Sequence, residues 1–246
     1  MTFKIGKSIE LDTCASTQEE ALKLLRQSKD LKSLYWVRAN TQSQGRGRQG
    51  RVWLNSEDSL LCSVALEWPK DKELPAWISL MAGWALFESV SSLARIGQSE
   101  LFLKWPNDLC VTKEEQNFKL AGVLCERKSN KLCIGWGLNI KGQPSHEKSI
   151  SLDDILKSSV DKLILYSHLQ ENFHKLLEQI LSDEDQGQNL IFHKICSVGM
   201  KHFWGKALLF NKSIEGTAQS LKPDGSLVIR NATGKLETIS SGEVTL

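Results

Sequence analysis

A stretch of apolar residues without a polar face is the feature that most constrains the fold of this chain. Between residues 75 and 93, large apolar side chains recur at helical spacing and small residues fill the positions between them. The stretch is shorter than the ~20 apolar residues that a membrane-spanning helix needs. A helix that is apolar nearly all round is buried on every side. The sequence therefore predicts a helix packed against a sheet inside a globular domain.

Short apolar segments on both sides of this helix predict the strands of that sheet. A first strand is expected before Ile9, and Ser16 and Glu19 have the spacing of a capping box, so a helix should begin there. A third helix, which is amphipathic, is expected over residues 160–181. Further strands are predicted at residues 34–37, 59–68, 101–104, 109–112, 120–126 and 132–140.

The composition changes at about Lys201, after which short strands alternate with polar turns. Such a rhythm is typical of a small β-barrel. Its strands are expected at residues 207–210, 214–220, 227–230 and 236–239. We therefore predict an α+β fold with a mixed sheet and packed helices in residues 1–200, and a small barrel domain in residues 201–246.

Composition excludes several functional classes. The formal net charge of the 246 residues is only +2, whereas a nucleic-acid-binding protein normally has a clear basic excess. None of the six cysteines forms a C-x-x-C pair or a zinc-site spacing, so we interpret them as small apolar residues in a reducing compartment. The N-terminal segment lacks the apolar region of a signal peptide. We expect a cytoplasmic protein without membrane association.

Residues 42–53, Gln-Ser-Gln-Gly-Arg-Gly-Arg-Gln-Gly-Arg-Val-Trp, form the most informative segment. Glycines allow backbone N–H groups to approach an anion, and arginines add forked donors that suit phosphate or carboxylate. Trp53 offers a flat surface for a purine. A solvated basic loop, or a segment for single-stranded nucleic acid, would have a similar composition. Phosphate binding and these alternatives remain open from this segment alone.

Three further segments combine polar or glycine residues with strands. Residues 104–109, Lys-Trp-Pro-Asn-Asp-Leu, place a lysine, an asparagine and an aspartate at one strand edge, although a plain polar turn would look similar. Residues 119–124 and 135–140 place glycines inside strands. A single glycine there usually marks a bulge, whereas the two alternating glycines of residues 135–140, opposite a strand with its own glycine, indicate a smooth floor for a flat ligand. Standard nucleophile motifs are absent from the sequence, which favours electrostatic positioning over covalent catalysis.

Taken together, these segments resemble the biotin protein ligase family. Residues 42–53 are similar to its Gly-Arg-Gly-Arg-x-Gly-Arg-x-Trp signature, and residues 104–109 match its Lys-Trp-Pro-Asn-Asp-Leu segment. Four further family segments are similar to residues 16–18, 119–123, 135–140 and 242–246. All six segments follow one another along the chain in the order of the family. The resemblance implies a catalytic domain like that of class II aminoacyl-tRNA synthetases, followed by an SH3-like barrel. It also implies a monomer or homodimer.

The resemblance implies a two-step reaction that uses ATP and Mg²⁺. Biotin would form biotinyl-5′-AMP, and a lysine of the biotin carboxyl carrier protein of acetyl-CoA carboxylase, or of a related carboxylase, would then accept the biotinyl group. The implied biotin-binding residues are Ser16, Thr17, Gln18, Gln42, Arg46, Gly47, Arg48, Lys119, Gly122, Gly135 and Gly137. The implied ATP or adenylate contacts are Arg48, Arg51, Trp53, Lys104, Asn107 and Asn139.

Among these residues, Arg46, Arg48, Lys104 and Lys119 would neutralise the meeting anions, and we predict that Asp108 orients or deprotonates the acceptor lysine. Two positions depart from the family pattern. Gln49 replaces a frequent arginine and Gln18 replaces an asparagine. Some family members also have an N-terminal helix-turn-helix, but only 15 residues precede Ser16. We therefore predict no role in binding DNA.

Three other functions remain to be weighed against a biotin ligase. A lipoate–protein ligase shares the general fold and the adenylate chemistry, and the Gly-Arg-Gly-Arg loop favours biotin over it. A nucleic-acid-binding module would use the basic loop and the barrel, but the near-neutral charge argues against it. An inactive scaffold would not need the charged residues that are retained.

Overall fold

The computed structural model describes residues 3–30, 32–93, 101–142, 148–156, 160–182, 184–211 and 214–246. Seven strands within these ranges form one mixed sheet: β1 (Lys4–Cys14), β2 (Ser33–Gln42), β3 (Asp58–Glu67), β4 (Leu101–Lys104), β5 (Asp108–Lys113), β6 (Gln116–Lys128) and β7 (Lys131–Lys141). Their order across the sheet is β1-β2-β3-β7-β6-β5-β4. Only β1 and β2 pair in parallel in this described sheet, and every other neighbouring pair is antiparallel.

Helices cover both faces of the sheet. The helices are α1 (Thr17–Gln27), α2 (Ile78–Leu93), α3 (Lys162–Ser182) and α4 (Glu184–Lys194). On one face, α1 packs Ala21 and Leu25 against Val37 of β2 and Cys133 of β7. On the other face, α2 and α3 build the main hydrophobic core. Because α1 is short, part of its face of the sheet is left open for a cavity.

The apolar segment at residues 75–93 is largely helical and buried, as predicted. Helix α2 lies against the sheet, where the indole N–H of Trp136 donates to the carbonyl oxygen of Ala82 at 2.9 Å. Trp136 also stacks on Trp36 with ring centroids 5.5 Å apart, and Phe173 of α3 meets both rings edge-on. Aromatic pairs of this kind add about 0.5–1.5 kcal/mol each beyond the area that they bury. They join α2, α3 and the central strands into one core.

Two local predictions differ from the structure. Strand β1 runs to Cys14, beyond the expected end before Ile9, and its exposed and half-buried residues give it no clear apolar alternation. Helix α1 begins after Ser16 as predicted, but the Ser16 side chain makes no capping hydrogen bond. Ser16 is nevertheless only 2% exposed. Its position at a cavity wall, described below, explains why it is buried.

The C-terminal residues form a second sheet. Within the described residues it has five antiparallel strands: β8 (Ala207–Phe210), β9 (Ile214–Leu221), β10 (Leu227–Asn231), β11 (Leu236–Ile239) and β12 (Val244–Thr245). The strand order is β11-β10-β9-β8-β12. The α+β fold is thus confirmed. The predicted barrel is not shown to be closed, because no pairing in these residues joins the edge strands β11 and β12.

The described part of the chain includes all six cysteines, and each is a free thiol. Burial raises the pKa of the Cys110 thiol to about 12, so this thiol is protonated at neutral pH. None of the helices in the described ranges combines the length and apolar character needed to span a bilayer.

Candidate active site

A cavity of about 720 Å³ opens on the α1 face of the large sheet. Strands β6 and β7 form its floor, and the N-terminus of α1 closes one end. Its walls are the segment 45–53, here called the Gly-Arg loop, the turn between β4 and β5, and the tail 242–246. The volume is in the range of small-molecule and cofactor sites.

Every residue predicted for the site lines this cavity. These residues are Ser16, Thr17, Gln18, Gln42, Arg46, Gly47, Arg48, Arg51, Trp53, Lys104, Asn107, Asp108, Lys119, Gly122, Gly135, Gly137 and Asn139. Residues far apart in the sequence meet because β6 and β7 lie side by side, with β5 next to β6 and β3 next to β7.

The Gly-Arg loop is a hairpin-like flap rather than an open basic segment. The Trp53 N–H donates to the Gly45 carbonyl at 2.9 Å, and the Gly47 N–H donates to the Arg51 carbonyl at 2.7 Å. The turn at its tip contains Gln49 with φ of 56°. This left-handed conformation is unusual for a residue with a side chain. The loop thus has a defined shape, and Gln49 occupies its tightest point.

Glycines in the floor make room for the indole of Trp53. A Cβ atom on Gly137 would lie 2.5 Å from Trp53 Cε2, and one on Gly122 would lie 3.3 Å from Trp53 Cζ3. The Trp53 Nε1 atom is buried and has no hydrogen-bond partner in the described structure. Unpaired buried donors are rare in proteins and are expected where a ligand binds. A smooth floor for a flat ligand was predicted from these glycines. In this structure the flat ring on that floor is the indole of Trp53.

Uncharged polar groups crowd the end of the cavity near α1. The backbone N–H and the hydroxyl of Thr17 both donate to Gln42 Oε1, at 2.7 and 3.0 Å. The hydroxyls of Thr17 and Ser63 are 2.7 Å apart. Gln18 lies over Gly135 and donates from Nε2 to the Leu124 carbonyl at 3.0 Å. This end therefore suits a neutral ligand with several hydrogen-bonding atoms.

The opposite end contains a buried carboxylate between two lysines. Asp108 lies 2.7 Å from Lys119 Nζ and 3.0 Å from Lys104 Nζ. Burial alone would raise the pKa of Asp108, but the two ammonium groups outweigh it and hold that pKa well below its usual range. Asp108 therefore stays ionised at neutral pH. A carboxylate held this firmly in its charged form is a weak base.

The three arginines of the loop make different contacts. Arg48 donates from Nη1 to Asn107 Oδ1 at 3.3 Å and to the Gly242 carbonyl at 3.4 Å, so it lies across the cavity. Arg51 pairs with Glu243 of the C-terminal tail. Arg46 is 3.3 Å from Glu126 and 3.9 Å from Glu19, so its charge is partly met by two carboxylates. Of the three, Arg48 is the best placed to meet an anion inside.

Several parts of the cavity wall were not assigned to the site from the sequence, including Lys148 and Ser149. Two other parts contact predicted site residues directly. The first is Ser63 of β3, which lies within an apolar stretch with no polar pattern to mark it. The second is the tail 242–246, whose backbone carbonyl at Val244 accepts from Lys104 Nζ at 3.1 Å. The family-like sequence of that tail was the signal that could have identified it. The C-terminal sheet thus contributes directly to the site.

Comparison with known proteins agrees with this geometry. The model of the biotin/lipoate A/B protein ligase family matches residues 11–139, slightly more than half of the chain. The chain belongs to this family. A second model, the biotin protein ligase C-terminal domain, matches residues 206–246. The two matched ranges include every predicted site residue and the tail that closes the cavity.

Individual members of the family extend the likeness over nearly the whole chain. The biotin–[acetyl-CoA-carboxylase] ligase of Mycobacterium tuberculosis is 27% identical and aligns with 96% of this chain and 88% of its own length. The corresponding ligase of Paracoccus denitrificans is 32% identical over 52% of each chain. The Aquifex aeolicus biotin protein ligase in complex with biotin and ATP superposes with a TM-score of 0.77 at 27% identity, covering 99% of this chain and 98% of its own.

Proposed function

We propose that this chain is an ATP-dependent ligase that forms biotinyl-5′-AMP and attaches biotin to a lysine of a biotin carboxyl carrier protein. The observation that carries the proposal is the division of the cavity into a neutral polar end and a cationic end. Biotin has the same division, because its bicyclic urea is neutral and its valeryl chain ends in a carboxylate. The names and bound ligands of the family members above support the same activity.

In the first half-reaction, the biotin carboxylate attacks the α-phosphorus of ATP and pyrophosphate leaves. Two anions must approach, so fixed positive charge lowers the barrier. Lys119 would contact the carboxylate, while Arg48 and Lys104 would contact the phosphate. These three side chains lie around Asp108 and Asn107, which hold them in place before the substrates arrive. Preorganised charge of this kind acts without rearrangement during the reaction.

In the second half-reaction, the amine of the acceptor lysine attacks the carbonyl carbon of the mixed anhydride and AMP leaves. The amine must first lose a proton, since its ordinary pKa is about 10.4. Because Asp108 is held in its ionised form by two lysines, we assign it to orienting the incoming lysine rather than to removing its proton, and the proton passes to solvent before the neutral amine attacks. The Gly-Arg loop protects the labile anhydride from water.

Mg²⁺ fits this site as a companion of the triphosphate. The described residues contain no cluster of three or more His, Cys, Asp or Glu side chains that would hold a metal alone. Mg²⁺ usually needs only one or two carboxylates in addition to substrate phosphates and water. Asp108 and Glu243 are carboxylates that line the cavity. When bound, the ion would neutralise phosphate charge with Glu243 as its protein ligand, because both oxygens of Asp108 already pair with Lys104 and Lys119.

We further propose that residues 1–200 form the catalytic domain and that residues 201–246 form an SH3-like barrel that supplies the tail. The indole N–H of Trp105 donates to the Gly225 carbonyl at 3.0 Å, so the β4–β5 turn rests on the C-terminal unit. We expect the ligase to act as a monomer or homodimer on a carboxylase carrier domain. We also propose that it binds no nucleic acid, because the formal net charge is only +2.

Lipoate is the main competing substrate, and the neutral end of the cavity disfavours it. The dithiolane ring of lipoate has no N–H or C=O group. Its binding would leave Thr17, Gln42 and Ser63 buried opposite an apolar ring. A site built to hydrogen-bond its substrate rejects an analogue that lacks those groups by about 10⁴-fold or more.

The deciding experiment incubates the full chain with ATP, Mg²⁺ and a biotin carboxyl carrier domain, with labelled biotin in one reaction and labelled lipoate in another. We expect covalent labelling by biotin alone, and no labelling of a carrier domain whose acceptor lysine is replaced by arginine. A separate assay of biotin-dependent exchange between ATP and labelled pyrophosphate reports the first half-reaction. Labelling by lipoate alone, or by neither acid, would refute the proposal.

A further inference from the structure

Ser63 is a buried hydroxyl at the neutral end of the cavity whose role is not explained by the strand that holds it. It lies on β3 opposite Gly135 of β7 and is completely buried. A Cβ atom on Gly135 would lie 3.1 Å from both Ser63 Oγ and Gln18 Cγ, so both side chains border the space above this glycine. Ser63 also lines the cavity. The hydroxyl therefore faces the space that a ligand would fill.

The hydrogen bonds around Ser63 fix the direction of its hydroxyl proton. Gln42 Oε1 accepts from both the backbone N–H and the hydroxyl of Thr17. A carbonyl oxygen has no proton to give, and the Thr17 hydroxyl has only one. In the 2.7 Å contact between Thr17 and Ser63, Ser63 must therefore be the donor. With its proton directed to Thr17, Ser63 Oγ has only lone pairs to offer to the cavity.

We propose that Ser63 Oγ accepts a hydrogen bond from one N–H of the biotin urea and thereby selects for a ring with an N–H at that position. The inference rests on the proposed biotin ligase function and adds a specificity-determining residue to it. Biotin supplies what the hydroxyl requires, since its urea carries N–H donors on either side of the carbonyl. The second donor and the carbonyl are left for the other groups at this end.

The chain from Gln42 through Thr17 to Ser63 makes this selection strict. A hydroxyl normally rotates to donate or accept as its partner requires. Here rotation would break the bond to Thr17 inside a buried site, where an unpaired polar group costs far more than at the surface. A ring with an acceptor atom instead of the N–H would face the lone pairs of Ser63. Such a ring should therefore bind poorly.

A thermodynamic cycle between protein variants and biotin analogues tests the proposal. The ligands are biotin and its two cyclic carbamate isomers, in each of which oxygen replaces one ureido N–H. Their dissociation constants are measured by calorimetry with the full chain and with Ser63→Ala. Ser89→Ala is the matched control, because Ser89 is equally buried and hydrogen-bonded but lies on α2, across the sheet. Thermal unfolding of both variants shows that they are folded.

We expect the wild-type chain to bind one carbamate isomer at least about tenfold more weakly than biotin. Ser63→Ala should weaken biotin binding by about tenfold, and the penalty for that same isomer should disappear. Ser89→Ala should keep the wild-type pattern. The coupling between one isomer and one side chain distinguishes direct contact from a general loss of structure.

Two outcomes separate this inference from the proposed function. If the wild-type chain binds biotin but the isomer retains its full penalty in Ser63→Ala, Ser63 only supports Thr17 and the inference is wrong, while the ligase function stands. If the wild-type chain does not bind biotin at all, the proposed function itself fails. Equal binding of biotin and both isomers by the wild-type chain would also overturn the role of Ser63.

Discussion

The buried carboxylate between two lysines allows a quantitative test of how the cationic end is held together. Asp108→Asn keeps the size of the side chain, removes its charge and replaces one of its two acceptor oxygens by an NH2 donor. The side chains of Asp108 and Lys104 are 11% and 16% exposed, whereas that of Lys119 is 35% exposed. Removing one member of a buried ion pair costs about 3–5 kcal/mol. Since solvent screens the Lys119 side, we expect the lower end, about 3 kcal/mol.

Urea unfolding at neutral pH, followed by tryptophan fluorescence, measures this loss. Thermal unfolding is a second measurement of the same loss. A change of 1 kcal/mol in the free energy of unfolding shifts the melting temperature of a chain of this size by about 2–4 °C, so Asp108→Asn should melt about 6–12 °C below the wild type. Asp58→Asn is the control, because it breaks a 2.6 Å pair with Lys162 in which Asp58 is 38% exposed. A pair of that kind contributes at most about 1 kcal/mol.

The pH dependence of the same difference provides a second check. The folded-state pKa of Asp108 lies below the value of about 3.9 for an unfolded aspartate. A lowered pKa gives stability that is complete above the unfolded value and declines as pH falls through the folded value. The gap between wild type and Asp108→Asn should thus be constant near neutral pH and shrink below about pH 4. A gap equal to that of Asp58→Asn, or one that grows in acid, would refute this reasoning.

Three further predictions concern the loop, the floor and the tail. Arg48→Ala should slow biotin-dependent pyrophosphate exchange by about 3 kcal/mol, roughly a hundredfold, and an unchanged rate would remove Arg48 from the chemistry. Gly137→Val should abolish detectable biotin binding by calorimetry, because its Cβ would lie 2.5 Å from Trp53 Cε2; normal affinity would show that Trp53 moves away. Glu243→Gln should raise the KM for ATP severalfold, because it frees Arg51, and it should lower the free energy of unfolding by less than about 1 kcal/mol. A large loss of stability would contradict a role limited to holding Arg51.

Much of the site could be predicted because its residues form patterns that are unusual in ordinary strands and loops. Glycines weaken a strand, so their presence inside one indicates a close approach of another group. Arginines between glycines indicate an anion, because they combine forked donors with an accessible backbone. The strand assignments then place these segments beside one another, as β6 and β7 confirm. Helix α2 was predictable for a similar reason, because an apolar surface on all sides leaves burial as its only stable arrangement.

Apart from the tail 242–246, the features that escaped prediction have no local signal of their own. Ser63 stands in the segment Leu60-Leu61-Cys62-Ser63-Val64, which indicates only a buried strand. Strand β1 lies at the sheet edge with most side chains exposed or half-buried, so its pattern lacks the alternation of a half-buried strand. The contact of Arg48 with Gly242 joins positions that are distant in sequence. Each of these features depends on the tertiary fold and is therefore invisible in a single segment.

The division of the cavity also determines how variants should behave in kinetics. The neutral end is built from α1, the end of β2 and β3, and under the proposed function it would contact a part of biotin that does not change during the reaction. A substitution that removes a contact at this end weakens the binding of the ground state and of the transition state equally. KM should therefore rise while kcat is retained. The cationic end comes from the Gly-Arg loop, the β4–β5 turn and β6, where charge develops during adenylation. Losses at Arg48 or Lys104 should therefore lower kcat, and the two ends of one cavity should separate into two kinetic classes.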